Sequence, residues 1–185
     1  MTRHVRGDRE LPPLNQDRHY STHFQEIRLL KRPVRVLPGD QLITSCTYKS
    51  SDRTEAVLGG YGIRDEMCVN YVHYYPASQL EVCKSSVDTE HLWRYFRDLK
   101  ERHLQPVQVP ARADLLTESI VELNYRAIRW TPFLADHLHQ MYAHSPLSVQ
   151  CNRSTGDRFP VSFLRFKILR NASDGERDKQ KSSSG

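Results

Sequence analysis

The sequence of 185 residues contains neither a long apolar run nor a long run of basic residues. A helix that crosses a membrane needs about 18 or more consecutive apolar residues, so the sequence predicts no membrane span. The net charge is +5, but Lys and Arg are interspersed with Asp and Glu. This mixture is typical of a solvated surface, and we expect no nucleic-acid partner.

Cysteine is also sparse, with 4 residues in the chain, and the opening "MTRHVRGDRE" lacks the pattern of a signal peptide. An even number of cysteines and two Asn-x-Ser sequons, at Asn152 and Asn171, nevertheless favour an oxidising setting and N-linked glycosylation. We therefore expect a protein of the secretory pathway whose natural N-terminus lies upstream of Met1.

Residues 1–87 have the pattern of an antiparallel β domain. Val34 and Val36 alternate with polar residues, a Pro-Gly-Asp turn follows, and the next run, 42–48, is rich in β-favouring side chains. Several short strands separated by turn signals predict an all-β fold, in the form of an antiparallel β-sandwich.

The pattern changes to helix in residues 88–170. Asp88 is a suitable N-cap, and a stripe with helical spacing follows it at Leu92, Phe96, Leu99 and His103. A second helix is predicted from Thr131 as N-cap and Pro132 at the first helical position. Residues 171–185 have almost nothing to bury and are predicted to be disordered.

The stretch "DEMCVNYVHYYP", residues 65–76, favours a strand. Strand alternation would place one set of side chains on a common face: Met67, Val69, Tyr71, His73 and Tyr75. Cys68 would point to the opposite face, where Cys46 on the preceding strand is its natural disulfide partner. A disulfide that closes a loop of about 20 residues stabilises the fold by about 3 kcal/mol in the chain-entropy model.

Two interpretations of Met67 remain open at this point. Methionine is flexible and commonly fills gaps in a core. Its thioether is also a soft ligand that favours Cu(I) over harder ions. Composition and spacing do not decide between a core residue and a metal ligand.

Longer stretches resemble the copper type II, ascorbate-dependent monooxygenases, and in particular the members that hydroxylate amines. The resemblance is carried by "DRHYSTHFQEIRLLK", "VLPGDQLITSCTYKSSDRTEAVLGGYGIRDEMCVNYVHYYP" and "LEVCKSSVD". It is dense from Val5 to Asp88 and returns around "RWTPF" and "MYAHSPLSVQCNRS". The family has two copper-binding β-sandwich domains, so the resemblance implies that residues 1–87 belong to the second, jelly-roll-type domain.

The resemblance also implies a site. Each intact subunit of the family uses two coppers with ascorbate as reductant, and the oxygen-activating copper is held by a His-x-His pair and one methionine. That methionine corresponds to Met67, and its neighbour Cys68 pairs with Cys46. Tyr71, on the predicted face of Met67, would line the substrate pocket. The implied location is the secretory vesicle lumen or the outside of the cell.

The His-x-His pair and the first domain would lie upstream of Met1, so we expect an N-terminally truncated chain that is inactive alone. The run "HLHQM" does not replace the missing ligands. His137 and His139 lie in a predicted helix, where side chains two positions apart point about 200° apart, and Met141 belongs to its apolar stripe.

The sequence also differs from the family in its cysteines, in two respects. Cys83 and Cys151 correspond to family cysteines whose partners lie upstream, so we expect them to be free thiols or to mispair. The family's Cys-x-Cys that joins subunits is absent from "HLQPVQVPARAD". A homo-oligomer, if formed, would therefore be non-covalent.

The function implied for the intact parent is hydroxylation of the benzylic carbon of a phenylethylamine, dopamine to noradrenaline, with O2, two coppers and ascorbate. Tyramine is an alternative substrate. The rival hypothesis is a non-catalytic secreted β-sandwich module that has lost its copper sites.

Overall fold

A computed structural model describes residues 1–50, 52–53, 56–103 and 105–159, and the backbone of 165–166. Its contacts divide the chain into two units, Met1–Tyr74 and Tyr75–Gly185. None of the helices within the described ranges combines the length and the apolar composition that a bilayer crossing requires.

The first unit contains a three-stranded antiparallel sheet in the order β2-β1-β3. Its strands are β1 (Thr2–Arg6), β2 (Arg9–Asn15) and β3 (Gln41–Thr44). Gly7, at φ 56, allows the tight turn between β1 and β2, because glycine adopts positive φ without a steric cost. The central strand β1 is the buried one, and Val5 is fully excluded from solvent.

The strand predicted in the "DEMCVNYVHYYP" stretch is wrong. Residues 67–74 form no strand, and the nearest backbone pairing is an isolated parallel bridge between Gly59 and Glu66. Side chains make the link to the sheet instead, since Asn70 Nδ2 donates to Thr2 Oγ1 at 2.7 Å. The β-favouring composition was read correctly, but a strand also needs a partner strand in register, which a local pattern does not reveal.

The second unit combines an antiparallel sheet with three helices. The sheet has the order β4-β5-β6, with β4 at Leu80–Val87, β5 at Leu147–Arg153 and β6 at Arg165–Phe166. The helices are α1 (Thr89–Glu101), α2 (Glu118–Ala127) and α3 (Pro132–His144), and a short 3-10 helix spans Ala113–Leu115.

Helices α1 and α3 begin where the sequence predicts. The Asp88 side chain accepts from His91 N at 3.4 Å, and Thr131 Oγ1 accepts from Leu134 N at 3.2 Å. Each cap satisfies a backbone N–H that the first helical turn leaves without an internal acceptor. Of the predicted stripe, Leu92, Phe96 and Leu99 are buried in α1. His103 is exposed and lies after the end of the helix at Glu101, so its place in the stripe was wrong.

Helix α2 was not predicted, because its buried face is not a simple apolar stripe. Asn124 and Tyr125 are its buried residues. The Asn124 side-chain oxygen accepts from Gln108 N at 2.7 Å, and its nitrogen donates to Gln108 O at 2.8 Å. Both polar atoms of the buried amide therefore have a hydrogen-bond partner.

The expectation of a β-rich antiparallel fold with a helical C-terminal region is confirmed. The jelly-roll arrangement and the division into domains 1–87 and 88–170 stay predictions. The predicted disordered tail, 171–185, lies outside the described residues.

Candidate functional site

The site is built around two short segments of the first unit, 46–48 and 67–68. Cys46 and Cys68 form a disulfide with their Cα atoms 5.6 Å apart, which is the pairing expected from the sequence. Met67 is the residue before Cys68. The Tyr48 hydroxyl donates a hydrogen bond of 2.6 Å to the Met67 carbonyl oxygen. A covalent bond and a hydrogen bond thus hold adjacent residues of the same segment.

The Met67 side chain lies at the surface of the described structure, with 45% of the residue exposed. A methionine that fills a core gap is buried, so the interpretation of Met67 as a core residue is not supported. A thioether is a soft donor, which is the chemistry of a Cu(I) ligand.

Burial is the main cause that raises the pKa of the Tyr48 phenol, and the charges of Glu66 and Tyr20 act in the same direction. Burial disfavours the charged phenolate, and a nearby negative charge disfavours it further. Tyr48 is therefore a neutral phenol at physiological pH and can act as the hydrogen-bond donor to Met67.

Among the described residues, the donor that the resemblance implies for copper is the Met67 thioether, and its ligand role stays a prediction. Among them, no group of three or more His, Cys, Asp and Glu side chains is placed to hold a metal ion. One thioether is a weak ligand alone, and a copper ion at Met67 needs further donors.

The histidines of α3 belong to no group of three or more His, Cys, Asp and Glu side chains that could hold a metal ion within the described residues. The ring of His137 packs against the rings of Phe133 and Tyr95, at centroid distances of 6.3 and 5.3 Å. His137 and His139 lie in a regular helix, so their side chains diverge.

Tyr71 is 86% exposed. Because residues 67–74 form no strand, strand alternation no longer places Tyr71 on the face of Met67. Its role in a substrate pocket stays a prediction.

Of the two alternatives expected for Cys83 and Cys151, free thiols or mispairing, the free thiols are wrong for this structure. The two cysteines form a disulfide with each other, with Cα atoms 4.1 Å apart. The antiparallel register of β4 and β5 places the two residues directly opposite each other. The pairing of β4 with β5 brings together two cysteines that are far apart in the sequence, and a local pattern does not reveal such a pairing.

Of the two sequons, only the one at Asn152 lies within the described residues. Asn152 lies near the end of β5 and is half-buried, with its Nδ2 3.4 Å from Gly156 O. Asn171 lies outside the described residues. Glycosylation at both positions stays a prediction.

Sequence reasoning missed a buried polar cluster in the first unit. His4 Nε2 lies 2.7 Å from Asp40 Oδ2, and Arg6 donates to both Asp40 oxygens at 2.8 Å. The backbone N–H of Leu37 also donates to Asp40 at 2.8 Å. These contacts, led by the Arg6 hydrogen bond, hold the pKa of the Asp40 carboxyl well below its usual range. The cluster ties the turn before β3 to β1.

Comparisons with known proteins agree with the resemblance. Human dopamine beta-hydroxylase is 48% identical over 155 residues, which cover 84% of this chain and 24% of the human protein. Bovine dopamine beta-hydroxylase is 47% identical over 161 residues, 87% of this chain and 25% of that protein. Tyramine beta-hydroxylase of Caenorhabditis briggsae is 35% identical over 159 residues, 85% of this chain and 25% of that protein. The chain thus spans about a quarter of the length of these relatives.

The family model for the C-terminal domain of copper type II ascorbate-dependent monooxygenases matches residues 1–96, which is more than half of the chain. This range includes the disulfide between Cys46 and Cys68, the exposed Met67 and the Tyr48 contact that holds its backbone. On this match, the chain belongs to the copper type II ascorbate-dependent monooxygenases.

Proposed function

We propose that the chain forms the C-terminal part of an enzyme that hydroxylates the benzylic carbon of a phenylethylamine, with dopamine as substrate and noradrenaline as product. The reaction breaks one C–H bond and inserts one oxygen atom of O2. The other oxygen leaves as water after two electrons from ascorbate and two protons have been consumed. The names and identities of the relatives support this substrate, and dopamine is favoured over tyramine because the dopamine-hydroxylating relatives are the more similar.

The observation that carries the proposal is the presentation of Met67. The residue is 45% exposed, its carbonyl oxygen accepts a hydrogen bond from Tyr48, and the next residue, Cys68, is held by a disulfide. Copper, when bound, would supply the activation of O2. Met67 would contribute one soft donor that favours Cu(I), and the remaining donors would come from outside the described residues.

We further propose a location in the secretory vesicle lumen or outside the cell. Both described disulfides are stable in an oxidising compartment and would be reduced in the cytosol. The sequons at Asn152 and Asn171 are consistent with passage through that compartment.

The second candidate is a non-catalytic secreted module with the same fold. It is favoured by one observation, that the described residues bring together no group of three His, Cys, Asp or Glu side chains around a metal position. In this case Met67 would be an exposed methionine without a ligand role.

A chimera separates the two candidates. The segment of human dopamine beta-hydroxylase that aligns with this chain is replaced by the chain, and the secreted protein is assayed for copper content and for noradrenaline formation. Two coppers per subunit and ascorbate-dependent product are expected for the enzyme. A folded, secreted chimera that lacks the oxygen-activating copper and forms no product would support the non-catalytic module.

A further inference from the structure

We propose that Tyr48 is a positioning residue, whose hydroxyl fixes the orientation of the Met67 backbone and thereby the direction in which the Met67 thioether is presented. The inference rests on the proposed function, in which that thioether is a copper ligand. The Tyr48 hydroxyl itself touches neither copper nor substrate in this proposal, because it acts through the Met67 carbonyl.

The first step of the argument is that Met67 lies in a segment without regular backbone pairing. Residues 67–74 form no strand, so no ladder of backbone hydrogen bonds determines their orientation. Individual side-chain contacts determine it instead, among them those of Tyr48 to Met67 and of Asn70 to Thr2.

The second step is that the disulfide is not sufficient by itself. The bond between Cys46 and Cys68 fixes the position of one residue but leaves the preceding peptide unit free to rotate about its own bonds. The peptide unit is planar, so fixing its carbonyl oxygen fixes the whole plane between Met67 and Cys68. The hydrogen bond from Tyr48 supplies this second point of attachment.

The third step connects the backbone to the sulfur atom. The side-chain rotamers that are open to a residue depend on its φ and ψ angles. Met67 is 45% exposed, so its neighbours restrict its side chain less than they would restrict a fully buried methionine, and its backbone conformation is a constraint on the thioether. Loss of the Tyr48 hydrogen bond should therefore let the sulfur sample other directions.

Tyrosine has the properties that this task needs. Its ring is rigid and has two rotatable side-chain bonds, so it spans the gap at a low cost in conformational entropy. Its hydroxyl lies 2.6 Å from the Met67 carbonyl oxygen, which is the distance of a direct hydrogen bond.

The test uses the full chain without metal, labelled with 13C at the methionine methyl groups. The chain has 3 methionines, Met1, Met67 and Met141, and the Met67 signal is assigned from its loss in Met67→Ile. Tyr48→Phe removes one oxygen atom and keeps the ring. The expected result is that the Met67 methyl signal shifts and broadens, while the signals of Met1 and Met141 stay in place.

Two variants make the test specific. Tyr75→Phe removes the same hydroxyl from another exposed tyrosine, and it should leave the Met67 signal unchanged. Tyr48→4-aminophenylalanine keeps a donor at the same point of the ring and should restore the original Met67 signal. An unchanged Met67 signal in Tyr48→Phe would overturn the proposal, and so would equal shifts of all three methionines, which would indicate a general loss of fold.

The positioning role and the ligand role can fail separately. X-ray absorption of the copper-loaded chimera tests the ligand role, through a copper–sulfur contribution that Met67→Ile removes. A Met67 signal that shifts in Tyr48→Phe without any such contribution would leave positioning intact and overturn the ligand role. A copper–sulfur contribution together with an unchanged Met67 signal would leave the ligand role intact and overturn positioning.

Discussion

Cys83 and Cys151 face each other across the pairing of β4 and β5, and their disulfide joins the strand that precedes α1 to the strand that follows α3. The three helices therefore lie within a covalently closed segment. The sequence separation of the two cysteines is 68, against 22 for Cys46 and Cys68.

This difference in separation predicts a difference in stabilisation. We expect the double variant Cys83→Ser with Cys151→Ser to lower the free energy of unfolding by about 4 kcal/mol, against about 3 kcal/mol for Cys46→Ser with Cys68→Ser. Urea unfolding of the secreted chain measures both, and thiol labelling under denaturing, non-reducing conditions checks the pairing. Labelled thiols at positions 83 and 151 would contradict it.

Removal of the Met67 sulfur should separate activity from folding. In the chimera, Met67→Ile keeps most of the side-chain volume and should abolish most noradrenaline formation. The change in stability should stay below about 1.5 kcal/mol, as for other near-isosteric apolar substitutions. Met141→Ile in α3 is the matched control and should keep parental turnover. Parental turnover by Met67→Ile would show that the sulfur has no role.

The Asp40 cluster predicts how the first unit responds to acid. The folded pKa of Asp40 lies below its ordinary value of 3.8, chiefly because of the hydrogen bond from Arg6. The unfolded chain therefore binds a proton before the folded chain does, and stability is fully present above about pH 4 and falls as the pH decreases towards the folded pKa.

Asp40→Asn should remove this dependence and should also lower stability at neutral pH, because His4 and Arg6 lose a charged partner. Unfolding by urea between pH 2 and pH 7 measures the effect. Asp8→Asn, at the exposed turn after β1, changes the charge equally and should keep the parental profile. If Asp8→Asn lost acid sensitivity as Asp40→Asn does, the pH dependence of stability would come from net charge and not from the Asp40 cluster.

Glycosylation of Asn152 can be tested by expression with a signal sequence. The sequon lies at the end of β5 in a polar turn, and we expect a glycan there, since the transfer requires only the Asn-x-Ser sequence in an accessible chain. Ser154→Ala should remove the glycan while keeping Asn152, and Thr155→Ala should not. Peptide mapping that finds an unmodified Asn152 in the secreted parent would refute the prediction.

Local sequence signals predicted the features that depend on neighbouring residues. The caps at Asp88 and Thr131 bind N–H groups three residues away, so they mark α1 and α3 correctly from a short window. The position of Met67 next to Cys68, in a stretch that resembles the family, likewise drew attention to the site.

Helix α2 and the segment 67–74 show where local signals fail. Asn124 is buried in α2 because Gln108 satisfies its amide, and this partner cannot be identified from the helix alone. The segment 67–74 has β-favouring residues but no strand partner in the part of the chain that the structure describes, because pairing depends on which other strands come within reach.

The sequence by itself determined the family and the N-terminal ends of α1 and α3, because each depends on a run of adjacent positions. Only the tertiary structure decided which distant residues meet. The register of β4 and β5 made partners of Cys83 and Cys151, and the path of the chain after β3 placed Tyr48 beneath the Met67 carbonyl. Such contacts depend on the packing of whole elements, and many residues far apart in sequence have the chemistry to form them, so the sequence alone does not select the pairs that do.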